Sequence, residues 1–161
     1  MKFRAQRRLG GFSLIELLAA AAILGVLATV AVPVLETTMR RQKEQALRTA
    51  LRDIRHGIDA YKLAADAGRI KTTSADSGYP KTLTDLTAGI TDEKNQSGPK
   101  LYFLRRIPRD PFADPALSAI DSWKKRKFDS PPEAPVEGND VFDVYSRSPL
   151  KGLNGVPYAE W

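Results

Sequence analysis

Residues 12–35 read FSLIELLAAAAILGVLATVAVPVL, an apolar run of 24 residues broken by one ionisable side chain, Glu16. As a helix rising 1.5 Å per residue, such a run reaches roughly 36 Å, against about 30 Å for the hydrocarbon core of a bilayer. It is long enough to span one. Before it, residues 1–11 carry Lys2, Arg4, Arg7 and Arg8 and no acid. After it, Arg40, Arg41, Lys43 and Arg48 follow closely, so the cations about the span do not decide its orientation. A basic leader before an apolar run also describes a removable secretory signal. Val26-Leu27-Ala28 offers the small residue for such a cut, which would start the mature chain near Thr29. Glu16 weighs against this, because a charged acid costs about 2.5–3.5 kcal/mol at the centre of an inserted helix and less near its end. Such a residue calls for a reason.

The 161 residues leave room for one modest domain beside the span. Of the formal net charge of +6, four charges sit in the first eleven residues, and the rest of the chain is close to neutral. That balance gives no general attraction to nucleic acid. With no cysteine, a disulfide framework, a thiol nucleophile and a Cys-based zinc or iron–sulfur centre are excluded, while the compartment stays open. Gly-x-Ser-x-Gly, His-Glu-x-x-His and phosphate-binding glycine loops do not occur, and no enzyme is expected.

Gly11-Phe12-Ser13-Leu14-Ile15-Glu16 resembles the cleavage and methylation motif of type IV pilins and type II secretion pseudopilins. The family pattern is a short basic leader ending in Gly, then Phe, then Glu as fifth residue of an otherwise apolar helix. The resemblance implies cytoplasmic cleavage between Gly11 and Phe12 by a prepilin peptidase, N-methylation of Phe12, and retention of the helix as an inner-membrane anchor. It also implies a helical homo-oligomer in which Glu16 meets a Phe12 amine, its own or a neighbour's, and so sets the axial register. The plainer alternative leaves Glu16 at the level of the headgroups. Gly25 and Pro33 are helix breakers, and Pro33 both lacks an N–H and crowds the carbonyl four residues earlier, which predicts a kink or loosened turn. They match the positions that bound an unwound stretch in family filaments.

Beyond Pro33 the apolar positions are Leu47, Leu51, Ile54, Ile58 and Tyr61, spaced 4, 3, 4, 3 as one stripe of an amphipathic helix. Arg40, Arg41, Lys43, Glu44, Arg48, Arg52 and Asp53 fill the other faces and read as solvated. The helix should end near Gly68. Residues 82–86 suit a short capped helix, residues 141–146 alternate as a strand, and residues 152–158 read as a turn into a final extended piece ending at Trp161.

Gly78-Tyr79-Pro80-Lys81-Thr82-Leu83 and residues 102–112, YFLRRIPRDPF, narrow the resemblance to the major, G-type pseudopilins of type II secretion. The expected fold is therefore α+β and type IV pilin-like, a long N-terminal helix packed on a small antiparallel sheet. Its expected division is a cleaved leader (1–11), a membrane and assembly helix (12–35), a periplasmic amphipathic helix (36–67) and a periplasmic head (68–161). The implied function is that of a structural subunit of the periplasmic pseudopilus, with minor pseudopilins and an inner-membrane assembly platform as partners and no nucleic acid. A true type IV pilin for adhesion, motility or DNA uptake shares the front end, though the C-terminal cysteine pair common there is missing.

G-type pseudopilins follow the Tyr-Ser strand with an acid-rich loop that holds calcium. Here Arg147-Ser148-Pro149-Leu150-Lys151 stands in that place, with two cations and no acid, so neither calcium nor another cofactor is expected. Packing of Tyr145, Tyr158 and Trp161 is the expected substitute. Other features have ordinary readings. His56, three residues from Asp53 and from Asp59, describes a solvated helix face as well as a proton-transfer or metal site. The run Lys124-Lys125-Arg126-Lys127, and Tyr102 and Phe103 beside Arg105, Arg106 and Arg109, read as surface. Asp110, Asp114, Asp140 and Asp143 suit turns better than a cation site.

Overall fold

The computed structural model describes residues 13–73 and 76–161, with Val30 and Ala31 as backbone only. Its main element is α1, Leu14–Asp66, a single helix of 53 residues. Two strands, β1 (Trp123–Arg126) and β2 (Asp143–Ser146), pair antiparallel, with Trp123 opposite Ser146 and Arg126 opposite Asp143. Short 3-10 turns occupy Leu83–Leu86 and Tyr158–Glu160. The arrangement is α+β and consistent with the type IV pilin-like fold. The chain divides into two compact units, with the boundary between Arg40 and Arg41.

In the first unit every described side chain is exposed, including Leu14, Leu17, Leu18, Ile23, Leu24 and Leu27 at 57% or more. An 18-residue window of α1 has a mean hydropathy of 2.5, enough for a membrane span by length and composition. Glycine and proline do not interrupt the helix. It continues through Gly25 and Pro33, where the sequence predicts a loosened turn. Pro33 removes one N–H donor, and the helical bonds on either side suffice to carry the chain past it. Threonine hydroxyls nearby bond back onto the helix, Thr29 to the Val26 carbonyl at 2.7 Å and Thr37 to that of Pro33 at 2.9 Å. Back-bonding of this kind is a regular use of Ser and Thr hydroxyls within helices.

The second unit holds the core. Leu47, Leu51, Ile54, Ile58 and Tyr61, the predicted stripe, are all buried, and Ala50, Ala64 and Ala65 complete the buried face of α1. Leu83, Leu86, Ile107, Trp123, Val141, Val144 and Tyr158 meet it from the rest of the unit. At Gly57 the chain passes so close that a Cβ would stand 2.9 Å from Leu104 Cγ. The helix ends as a Schellman motif, in which Gly68, with φ of 67°, donates its N–H to the Ala65 carbonyl and Arg69 donates to that of Ala64, each at 2.9 Å. This left-handed turn explains why glycine stops the helix there.

One reading of the head is extended and one needs correction. The run Lys124–Lys127 lies at the surface as read, and its first three residues also form β1. Trp123 anchors the strand, fully buried with its indole N–H bonded to the Pro108 carbonyl at 2.8 Å. The final residues, expected as an extended piece, are not extended. They close as the turn Tyr158–Glu160, because Tyr158 stacks on Phe112 at 4.2 Å and Trp161 folds back edge-on to Tyr158 at 4.9 Å.

Candidate assembly site

Gly11 and Phe12 lie outside the described residues. Just beyond them, Ser13 and Glu16 form the start of α1. The Glu16 carboxylate accepts the Ser13 N–H at 2.9 Å, while the Ser13 carbonyl accepts the N–H groups of Glu16 and Leu17 at 3.1 and 3.2 Å. Glu16 thus stands at the third helical position and reaches back to the residue that caps the helix, half of a capping box. The pattern Ser-x-x-Glu is the sequence signal for such a helix start, which the sequence reading did not use, and the role is additional to pairing with an amine. A carboxylate at this end also faces the positive pole of the helix dipole. Gly25 has open space around it, with no heavy atom within 4 Å of a built Cβ. Pro33 sits inside α1.

Within the second unit, Glu44 is the residue whose role the sequence concealed. Its place among the cations at residues 40–48 suggests a solvated face, yet it is buried. Its Oε1 accepts the Leu153 N–H at 2.7 Å and the Tyr158 hydroxyl at 2.9 Å. Arg55 makes a parallel tie, donating to Asp143 at 2.8 Å and to the Trp161 carbonyl at 2.8 Å. Arg48 stacks over the Trp161 ring at 4.4 Å.

Asp110, read as a turn residue, is one and more. Its Oδ1 accepts the Phe112 N–H at 2.8 Å, the bond of an Asx turn. Its Oδ2 accepts the Ser146 hydroxyl at 2.6 Å, and the whole residue is buried. Asp114 and Asp140 cap neighbouring backbone N–H groups, of Ala116 at 2.9 Å and Phe128 at 2.9 Å. His56, Asp53 and Asp59 are exposed on α1. The cationic run meets acids of its own surroundings, with Lys125 near Glu137, Arg126 near Asp143 and Lys127 beside Asp129. Arg147 reaches the Trp123 carbonyl at 3.4 Å, and Lys151 pairs through its backbone with Pro157.

A further ion pair, like that of Arg55 with Asp143, went unread in the sequence. Arg69, just past the helix, donates through Nε and Nη2 to Asp92 Oδ2 at 3.0 and 2.7 Å. The Arg69 bond, more than the Lys94 N–H beside it, holds the Asp92 carboxyl below the usual aspartate range, and Arg69 is raised in turn. Asp76 is lowered as well, chiefly by the Thr73 N–H and hydroxyl.

Residues 6–32 match the family described as the prokaryotic N-terminal methylation motif, a span that takes in Gly11, Phe12, Glu16 and Gly25. The chain is also similar to the type II secretion system core protein G of Aeromonas hydrophila, at 29% identity over 68% of this chain and 72% of that one. The core protein G of Pectobacterium carotovorum subsp. carotovorum is 32% identical over 63% of this chain and 61% of its own length. That of Klebsiella pneumoniae is 28% identical over 83% and 92%. No solved structure matches. The motif overlaps the exposed apolar half of α1, and both fit anchoring in an inner membrane.

Proposed function

We propose that this chain is the structural subunit of the periplasmic pseudopilus of a type II secretion system. The observation that carries this reading is the methylation motif at the head of a helix whose described apolar side chains between Leu14 and Leu35 are exposed. An apolar surface of that extent is a liability for a lone protein in water and becomes an assembly surface in a membrane or in a bundle of like helices. Nothing in the names of the relatives points to catalysis.

In this reading the precursor sits in the inner membrane with its N-terminus cytoplasmic and its head periplasmic. A prepilin peptidase cuts between Gly11 and Phe12, Phe12 is N-methylated, and the subunit passes from an inner-membrane platform into a fibre capped by minor pseudopilins. Cleavage gives Phe12 a cationic amine, and Glu16 is the acid in the same apolar stretch. In surroundings of low dielectric an unpaired carboxylate is strongly disfavoured, so the pair selects the axial position at which a new subunit fits. Gly25 and Pro33 give the helix a place to yield once it packs among its copies.

Mass spectrometry of the mature N-terminus tests the reading. The expected start is a methylated Phe12, and deletion of the gene should abolish export of secreted proteins. A start near Thr29 would leave a soluble protein without an anchor and overturn it. Loss of surface fibres with export intact would point to a type IV pilin instead.

A further inference from the structure

We infer that the C-terminal loop of this chain, residues 147–158, is fastened by two protein carboxylates, Glu44 and Asp110, in the role that the G-type resemblance gives to a calcium ion. The residues present do not fit that ion. Calcium takes six to eight oxygen ligands, mostly carboxylates and carbonyls. At the corresponding place the loop offers Arg147 and Lys151. Glu44 Oε1 and both oxygens of Asp110 already accept hydrogen bonds, and those donors aim protons at lone pairs that a cation would need.

The fastening has two ends. At the entry, hydrogen bonds descend from residue to residue. The Leu150 N–H donates to Ser148 Oγ at 3.3 Å, the Ser148 N–H to Ser146 Oγ at 3.1 Å, and the Ser146 hydroxyl to Asp110 at 2.6 Å. Asp110, Ser146 and Ser148 are all buried, so water competes little for these bonds. At the far end Glu44 of α1 receives the Leu153 N–H and the Tyr158 hydroxyl on one oxygen. Between the two, the loop closes on itself, with the Gly152 N–H on the Val156 carbonyl at 2.8 Å and the Tyr158 N–H on that of Leu150 at 3.1 Å. Hydrogen bonds to a charged acceptor are among the stronger ones, and the two carboxylates hold the loop from different elements.

The test uses the full chain in detergent and reads thermal melting and amide hydrogen exchange, neither of which depends on export or on processing. Its failure is therefore distinguishable from failure of the pseudopilus reading. The melting temperature should be the same in EDTA and in excess calcium chloride. Glu44→Ala should speed exchange of the Leu153 amide by about tenfold or more, leaving the Ile90 and Leu101 amides of the separate bridge unchanged. Tyr158→Phe, a milder change that keeps the ring packing, should weaken the same protection less. A melting temperature that rises with calcium would overturn the inference. So would unchanged Leu153 exchange in Tyr158→Phe together with unchanged exchange, or failure to fold, in Glu44→Ala.

Discussion

Glu16 can do two things, and single substitutions separate them. As the third residue of α1 it caps Ser13, a bond worth about 1 kcal/mol to a helix end. As a charge it can pair with the amine of Phe12. Glu16→Gln keeps an oxygen for the Ser13 N–H, since glutamine also serves in a capping box, and removes the charge. If pairing governs assembly, Glu16→Gln and Glu16→Ala should both lose polymer and export, measured by crosslinking and by secreted protein. Normal polymer from Glu16→Gln would leave capping as the whole role. A second residue prediction concerns Asp92. Its carboxyl is lowered by Arg69, so its contribution to stability is present above the ordinary aspartate value of 3.8 and is lost as pH falls through the lowered one. The melting temperature of Asp92→Asn should therefore lie below that of the parent at neutral pH and converge with it in acid. A gap that stays constant down to pH 2, about two units below that ordinary value, would contradict the assignment.

Among the elements, α1 carries the greatest share of the fold. Its five predicted core positions are buried without exception, because a 4, 3, 4, 3 spacing leaves one stripe that water must be kept from. Ile54→Ala, at a side chain with no exposure, should lower stability by about 2–5 kcal/mol, read by denaturant unfolding. The stop at Gly68 was equally legible, since a left-handed residue is needed there and glycine supplies it. Strand β1 was not. Four residues reading Trp-Lys-Lys-Arg carry little β signal alone, and the strand exists because β2 pairs with it and Trp123 fills the core. The Tyr158–Glu160 turn was hidden for the same reason, as its conformation follows from aromatic stacking with Phe112.

At the scale of the whole molecule the two units answer to different surroundings. Among the described residues, every buried one lies at or beyond residue 44, within the second unit. A fragment of residues 41–161 should fold, stay in solution without detergent and melt cooperatively, while the full chain should need detergent or lipid. Gel filtration and circular dichroism of the two would check this, and an unfolded or aggregated fragment would show that the head depends on the first unit. What the sequence by itself determined was the span, the processing motif, the amphipathic stripe and the end of the helix. Each of these is local, a matter of spacing or of one residue's backbone. What only the tertiary structure decided was the fate of Glu44, Asp110 and Asp92, because the donors that hold them come from other parts of the chain, 109 and 114 residues away for Glu44, 36 for Asp110 and 23 for Asp92.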